Sequence, residues 1–221
     1  MSTATSSMTS IPKPLKFLHP YYKQIKEYYE SLRDSQFKKQ VADLISVLGI
    51  TMSEDKTLDS VEFALLGTKQ NLDSWGHQYL RSLAGEVATK YNQLASEEKD
   101  ASHLDFLIDA IAPHCMKSHE EPEAVDLLAE VEQLEKLVPL CTENNYKRVC
   151  KYLISSAPYA ADQEEMTKIY ETTYRIYFHL KKFPEALLIA QKMNNQNLID
   201  ETMNSCDDEI TLKQLCLMLG R

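Results

Sequence analysis

The chain has 221 residues, enough to bury a hydrophobic core in one domain or two small ones; 43% are apolar, 26% are charged, and the net charge is −9. Its 5 glycines and 8 prolines are about half the usual share of turn residues, which argues against a fold of many strands. Consecutive glycines are never closer than nine residues, so neither a GxGxxG nor a Walker phosphate loop can form, and classical dinucleotide-binding and P-loop enzymes are excluded.

The opening residues are rich in Ser and Thr, with neither the apolar core of a signal peptide nor the arginines of a transit peptide. We predict a disordered tail over 1–14 and a helical module over 15–221, forming either one lobe or two, 15–100 and 101–221. No apolar run reaches the about 18 residues that a membrane span needs, so we expect a cytoplasmic and nuclear protein without membrane contact. The five cysteines, an odd number without a CxxC pair, predict reduced and mostly buried thiols.

Beyond the tail, apolar residues recur every three or four positions, as amphipathic helices require. Gly49 and Gly67 predict the ends of two helices, and Ser74 predicts the N-cap of a long one. The predicted helices span 21–32, 36–48, 58–66, 74–95, 102–116, 121–134, 145–157, 164–182, 184–193, 196–204 and 209–219. We therefore predict an all-α fold of stacked antiparallel helical hairpins, similar to an α-solenoid, with about 10–12 helices.

The helix predicted over 74–95 has a stripe of large apolar residues at four-residue steps, from Trp75 through Tyr79 to Tyr91. Small residues lie between them, and we expect Gly85 and its alanine neighbours to let another helix pack closely.

Two helix starts resemble each other: Glu121-Pro122-Glu123 and Phe183-Pro184-Glu185 are each followed by an apolar stripe. Proline in the first turn and an early glutamate both favour a helix start. The resemblance is compatible with an internal repeat and also with chance.

Charge is concentrated in residues 97–135, which contain 12 acidic and 2 basic residues. Such a surface disfavours nucleic acid and favours a basic protein partner, although a solvated helix surface has the same composition. Glu123, Asp126 and Glu130 share one helical face at steps of three and four, and we take them as candidate partner-binding residues.

Enzymatic alternatives rest on few residues. His114, Cys115 and His119 could offer metal ligands, and Cys150 lies near cations that could lower its thiol pKa. Neither set is complete, because further ligands or a general base would have to come from distant positions. We therefore predict no catalytic, cofactor-binding or metal-binding residues.

The last predicted helix is apolar on more than one face, with the apolar residues Ile210, Leu212, Leu215, Cys216, Leu217 and Leu219. A stacked helical array needs a polar terminal cap. We expect this helix to be covered either by a partner or, as we favour, by further helices of a longer chain.

Four stretches resemble a known family: Phe17–Tyr22 (FLHPYY), Leu44–Leu48 with Thr51–Ser53, Ser74–Glu86 (SWGHQYLRSLAGE) and Glu121–Glu130 (EPEAVDLLAE). They are similar to the N-terminal region of the large non-ATPase scaffold subunit of the proteasome regulatory-particle base. The resemblance extends from residue 17 to residue 221.

The resemblance implies a non-catalytic helical segment that precedes a ring of proteasome/cyclosome repeats. It also implies partners: proteasome ATPase and non-ATPase subunits, and ubiquitin, ubiquitin-like domains of shuttle receptors and a deubiquitinase, which dock mainly beyond residue 221. The alternative is an autonomous helical-repeat adaptor unrelated to the proteasome.

Overall fold

A computed structural model of the chain describes residues 13–52, 58–68 and 72–220. These residues form twelve α-helices and no strand, which confirms the all-α prediction and the expected number of helices. Contacts divide the chain into two compact units, residues 1–115 and 116–221. The predicted division at 100 and 101 lies earlier in the chain, and the choice between one lobe and two stays a prediction. Residues 1–12 of the predicted tail lie outside the described residues.

Within its described residues, unit 1 contains four α-helices and most of a fifth, α5, which crosses the division. They are α1 (Tyr22–Ser31), α2 (Gln36–Met52), α3 (Asp59–Leu66), α4 (His77–Ser96) and α5 (Asp105–Lys117). Three 3-10 helices precede α1, α4 and α5, over Lys13–Tyr21, Leu72–Trp75 and Ser102–Leu104.

Unit 2 contains the remaining seven α-helices within the described residues. They are α6 (Glu121–Glu130), α7 (Leu137–Leu140), α8 (Tyr146–Ser156), α9 (Gln163–His179), α10 (Phe183–Lys192), α11 (Gln196–Asn204) and α12 (Glu209–Leu219). Two 3-10 helices, Leu134–Lys136 and Ala157–Tyr159, precede α7 and follow α8.

In unit 1, α2 packs against α1, α3 and α4, and several polar side chains inside this core are hydrogen-bonded. The Ser46 hydroxyl donates to the Ser60 carbonyl at 2.6 Å and lies 2.7 Å from the Tyr79 hydroxyl. At the α1–α3 contact, the Tyr22 hydroxyl donates to Asp59 at 2.6 Å. These hydroxyls are therefore paired where they are buried, and their hydrogen bonds offset the cost of removing them from water.

Gly49 and Gly67 both lie at close contacts, although only one of them ends a helix. Helix α2 continues through Gly49 to Met52, so the predicted stop at Gly49 is wrong. A Cβ at Gly49 would lie 2.9 Å from the Ser60 hydroxyl, so the missing side chain lets α2 approach α3. Helix α3 does end before Gly67, as predicted. There a Cβ would overlap the Asp43 carboxylate, which accepts hydrogen bonds from Thr68.

Helix α4 begins later than predicted, at His77, because Gly76 (φ 97°) turns the chain immediately before it. Ser74 lies in the preceding 3-10 helix, so its assignment as the N-cap is wrong. Tyr79 and the apolar residues that follow it along α4 are buried, which confirms the predicted apolar stripe in this part of the helix. The expected close packing at Gly85 is wrong, since no atom lies within 4 Å of a Cβ placed there.

Unit 2 is built by successive packing of neighbours in the sequence. Helix α9 packs against α8 and α10, and α10 packs against α11. Second neighbours also meet, α6 with α8, α7 with α9 and α10 with α12. This pattern of near-neighbour contacts is typical of stacked helical hairpins.

One turn recurs at the helix ends. After α5, α6, α9 and α10, the second residue beyond the helix has a positive φ and the next helix begins two residues later; these residues are His119, Glu132, Lys181 and Asn194. After α9, the Lys182 N–H donates to the Tyr177 carbonyl at 2.8 Å, as in a Schellman motif. The turns at Glu132 and Asn194 have the equivalent bond. The predicted helices 121–134 and 164–182 ran through two of these turns and were too long.

The two similar helix starts have similar backbones. Helices α6 and α10 each have proline in the first turn, and each follows a turn whose left-handed residue lies two positions earlier. Whether this reflects a repeat stays open.

The Gly67→Ala substitution should destabilise the protein by about 1–3 kcal/mol, because a methyl group there would displace a buried carboxylate from its hydrogen bonds with Thr68. Gly85→Ala is the matched control and should stabilise α4 by about 0.5–1 kcal/mol, since its methyl group meets no atom. Urea unfolding measures both changes, and equal effects of the two substitutions would contradict this role for Gly67.

The Lys181→Gly substitution should stabilise the protein by roughly 1 kcal/mol, because a non-glycine residue is strained in the left-handed region. Gln214→Gly, at an exposed position inside α12, should instead cost about 1 kcal/mol. Thermal unfolding gives the two signs, and a loss of stability in Lys181→Gly would refute the strain.

Candidate protein-docking surface

Helix α6 presents the predicted acidic residues outside and its apolar stripe inside. Ala124, Leu127 and Leu128 are buried, as their spacing predicts. Asp126 and Glu130 are exposed and Glu123 is half-buried. The predicted face therefore exists as a surface, and its binding role stays a prediction.

Asp126 has a local structural partner as well. It accepts a hydrogen bond of 2.7 Å from the Tyr152 hydroxyl of α8. This bond and burial raise the pKa of Tyr152 to about 12. Asp126 therefore helps hold α6 on α8. Glu130, the last residue of α6, instead lines a groove.

This groove, which we call the acidic groove, is an open cavity of about 670 Å³ on unit 2. One wall is formed by the end of α6, the turn at Glu132 and the start of α7, and the other by α9 and the residues just before it. Its floor includes the apolar side chains of Leu134, Val138 and Leu198. Helix α9 contributes because Asp162 caps it, accepting from the Glu165 N–H at 2.8 Å.

Seven carboxylates and two cationic groups line the acidic groove, a formal charge of −5. The carboxylates belong to Glu130, Glu132, Glu135, Asp162, Glu164, Glu165 and Glu171. Lys168 lies 3.0 Å from Glu164 and 3.9 Å from Glu132, and so links the two walls. Arg175 pairs with Glu201 at 2.9 Å. Both cations are thus already paired, which leaves an excess of negative charge.

At the start of α6, Glu121 forms a buried ion pair with Arg148 of α8. Its carboxylate is 4% exposed and accepts from the Arg148 Nε at 3.0 Å and from a second guanidinium nitrogen. Burial by itself would raise the pKa of Glu121, but hydrogen bonds from Arg148 and the backbone lower it. The pair therefore fixes the start of α6 on α8 rather than forming a free acidic site.

The proposed metal ligands are not brought together. Cys115 is buried in α5, whereas His119 lies in the exposed turn after that helix, 3.3 Å from Arg148. Within the described ranges, no group of three or more His, Cys, Asp or Glu residues is placed to hold a metal ion.

The thiols follow the predicted pattern of burial. Cys115, Cys141, Cys150 and Cys206 are buried and reduced, and only Cys216 of the five is exposed. Burial raises the pKa of Cys150 to about 12, so the suggestion that nearby cations lower it is wrong. Cys150 is a packing residue.

The sequence did not predict the α9 wall of the acidic groove, because its carboxylates lie far from α6 in sequence and balance nearby cations in a regional charge count. Part of the signal was local: Asp162 followed by Glu165 is a helix-start pattern. The ion pair between Glu121 and Arg148 could not be predicted either, since nothing near Glu121 in sequence indicates its partner.

None of the helices in the described part of the chain combines the length and apolarity needed to cross a membrane. Short turns and near-neighbour packing of helices are features of the class of proteins built from stacked helical hairpins. This class agrees with the comparison with known proteins.

The chain belongs to the family described as the RPN1 N-terminal domain, whose model matches residues 1–221. It is 42% identical to 26S proteasome non-ATPase regulatory subunit 2 homolog A of Arabidopsis thaliana over 99% of its length. It is 37% identical to 26S proteasome regulatory subunit RPN1 of Candida glabrata over 100% of its length, and 37% identical to non-ATPase regulatory subunit 2 of Dictyostelium discoideum over 99%. The chain spans 24% of each of these relatives.

Replacing Arg148 by Met should lower the urea midpoint at neutral pH, because it leaves the buried Glu121 carboxylate without its partner. The lowered pKa of Glu121 means that the pair stabilises the protein above the unfolded pKa and that this contribution is lost as pH falls through the folded pKa. The difference between wild type and variant should therefore shrink below about pH 4.

Lys213→Met is the control, since it removes an exposed i,i+4 pair with Glu209 that contributes little. A midpoint for Arg148→Met that matches this control at every pH would contradict the structural role of the Glu121 pair.

Proposed function

We propose that this chain is a non-catalytic helical segment of the proteasome regulatory particle, where it supports assembly with ATPase and non-ATPase subunits. The observation that carries the proposal is its family membership over residues 1–221, together with relatives named as regulatory and non-ATPase subunits of the 26S proteasome. The chain acts in the cytoplasm and nucleus and transforms no substrate.

In this proposal, ubiquitin, ubiquitin-like domains of shuttle receptors and a deubiquitinase dock on the longer subunit, mostly through regions beyond residue 221. The resemblance described above supports those partners. Within this chain, Glu123, Asp126 and Glu130 form the surface that meets a basic protein partner. Their charge chiefly accelerates encounter and makes binding sensitive to salt.

Helix α12 is proposed to be covered by further helices of the longer subunit. Its inner residue Leu215 is fully buried in a cluster with Leu187 and Cys206. On its outer side, Ile210 and Leu217 are 79% and 75% exposed. Neighbouring apolar side chains of this size favour burial, and about three quarters of the relative's length lies outside the part that this chain matches.

Capture experiments test the proposed function. The tagged 221-residue protein is incubated at low salt with lysate from its own source, and bound proteasome ATPase and ubiquitin-system subunits are measured by mass spectrometry. We expect wild type to retain such subunits and the variant with Glu123→Lys, Asp126→Lys and Glu130→Lys to retain fewer.

The control variant carries Glu27→Lys, Glu30→Lys and Asp207→Lys, three exposed positions away from α6, and has the same net charge as the first. Equal losses in the two variants would contradict a role for the α6 face. Recovery of no proteasome subunit by wild type would contradict an assembly surface in this chain.

Replacing Ile210 and Leu217 together by Ser should change the free energy of unfolding by less than about 0.5 kcal/mol per site, because both side chains are in water. The variant should self-associate less than wild type in sedimentation velocity. Leu215→Ala, inside the cluster, should instead cost about 2–5 kcal/mol. Unchanged self-association in the double variant would argue against α12 as a docking face.

A further inference from the structure

The acidic groove combines a concave shape with charge that the described part of the chain does not neutralise. Of its seven carboxylates, those of Glu130, Glu135 and Glu171 have neither a hydrogen bond nor an ion pair with a described residue, while Lys168 and Arg175 are held by other glutamates. Carboxylates crowded around one cavity repel one another, so a cation from outside would relieve the repulsion.

The floor of the groove adds an apolar requirement. Leu134 and Leu198 are buried beneath it, and Ala129 and Val138 are half-buried at its surface. The Tyr174 hydroxyl is already paired with the Leu198 carbonyl at 3.1 Å and with Glu201 at 3.0 Å. The floor therefore offers apolar contact, and the carboxylates at the rim offer polar recognition.

We propose that the acidic groove binds a short segment of a partner protein that carries lysines or arginines on both sides of one apolar side chain. The apolar side chain lies on the floor between α7 and α9, and the flanking cations meet Glu130, Glu135 and Glu171. Charge complementarity selects this occupant, because an acidic or neutral segment would leave the repulsion unrelieved. The cavity of about 670 Å³ has room for a few side chains and none for a folded domain.

This inference rests on the proposed role of the chain in binding proteins, and it adds the chemistry of the segment that is bound. The acidic groove differs from the surface formed by Glu123, Asp126 and Glu130, because α9 forms one of the walls of the groove. Glu130 is the residue that the two surfaces share.

A fluorescein-labelled peptide of sequence KRLKR tests the inference by fluorescence anisotropy with the full 221-residue chain. We expect saturable binding that weakens as salt is raised, since screening reduces the attraction between exposed charges. The peptide KRSKR should bind about threefold or more weakly, because it lacks the apolar side chain. Spermine competes for charge alone, so displacement by spermine together with equal binding of KRLKR and KRSKR would overturn the proposed segment.

Two variants locate the site. Glu130→Lys with Glu135→Lys and Glu171→Lys should weaken binding of KRLKR about tenfold, whereas the Glu27, Glu30 and Asp207 reversal, which has the same net charge, should leave it nearly unchanged. Ala161→Trp fills the groove from an exposed position without changing charge and should also weaken binding.

Equal effects of the two triple reversals, unchanged affinity in Ala161→Trp, or absence of saturable binding to wild type would each overturn the inference. These measurements need no proteasome subunit. If KRLKR does not bind but proteasome subunits are still captured from lysate, the proposed function is retained and the groove proposal is rejected. If KRLKR binds but no subunit is captured, the groove proposal is retained and the proposed function is rejected.

Discussion

The left-handed turn at helix ends is the constraint on which unit 2 depends. A helix must satisfy its last carbonyls, and here a backbone N–H beyond the turn does so, as Lys182 does for Tyr177. The same geometry sends the chain into the next helix two residues after the left-handed residue. Because the connection is this short, successive helices are forced into contact, and their apolar stripes bury one another. The turn at Glu132 therefore both ends α6 and forms part of one wall of the acidic groove.

Unit 1 is specified by different means. Its helices meet through buried polar side chains as well as apolar ones, with Ser46 between the Ser60 carbonyl and the Tyr79 hydroxyl. Burial raises the pKa of Tyr79, so this phenol stays protonated and able to donate a hydrogen bond. Such pairs are directional, and a shifted helix would leave them unsatisfied. Tyr22 and Tyr79 are therefore components of the core.

Most of the helices could be predicted from the sequence, because a three- and four-residue apolar period survives in almost every one. The ends of α6 and α9 could not, since the residues at the left-handed positions after these helices are Glu132 and Lys181, and sequence rules expect glycine there. The rule that glycine ends a helix gave a wrong prediction at Gly49, which instead permits close packing inside α2. Glu130 was identified from its face on α6. The roles of Glu171 and Arg148 depend on which helices pack together, and the local spacing of residues does not predict that packing.

Short connections have a mechanical consequence for unit 2. The turns at Glu132, Lys181 and Asn194 are short, and backbone hydrogen bonds fix each of them to the helix before it. A load applied to α10 would pass directly to α9 and α11, which pack against it, before any linker could extend. Under load, the helices of unit 2 should therefore resist extension and unfold together rather than one after another.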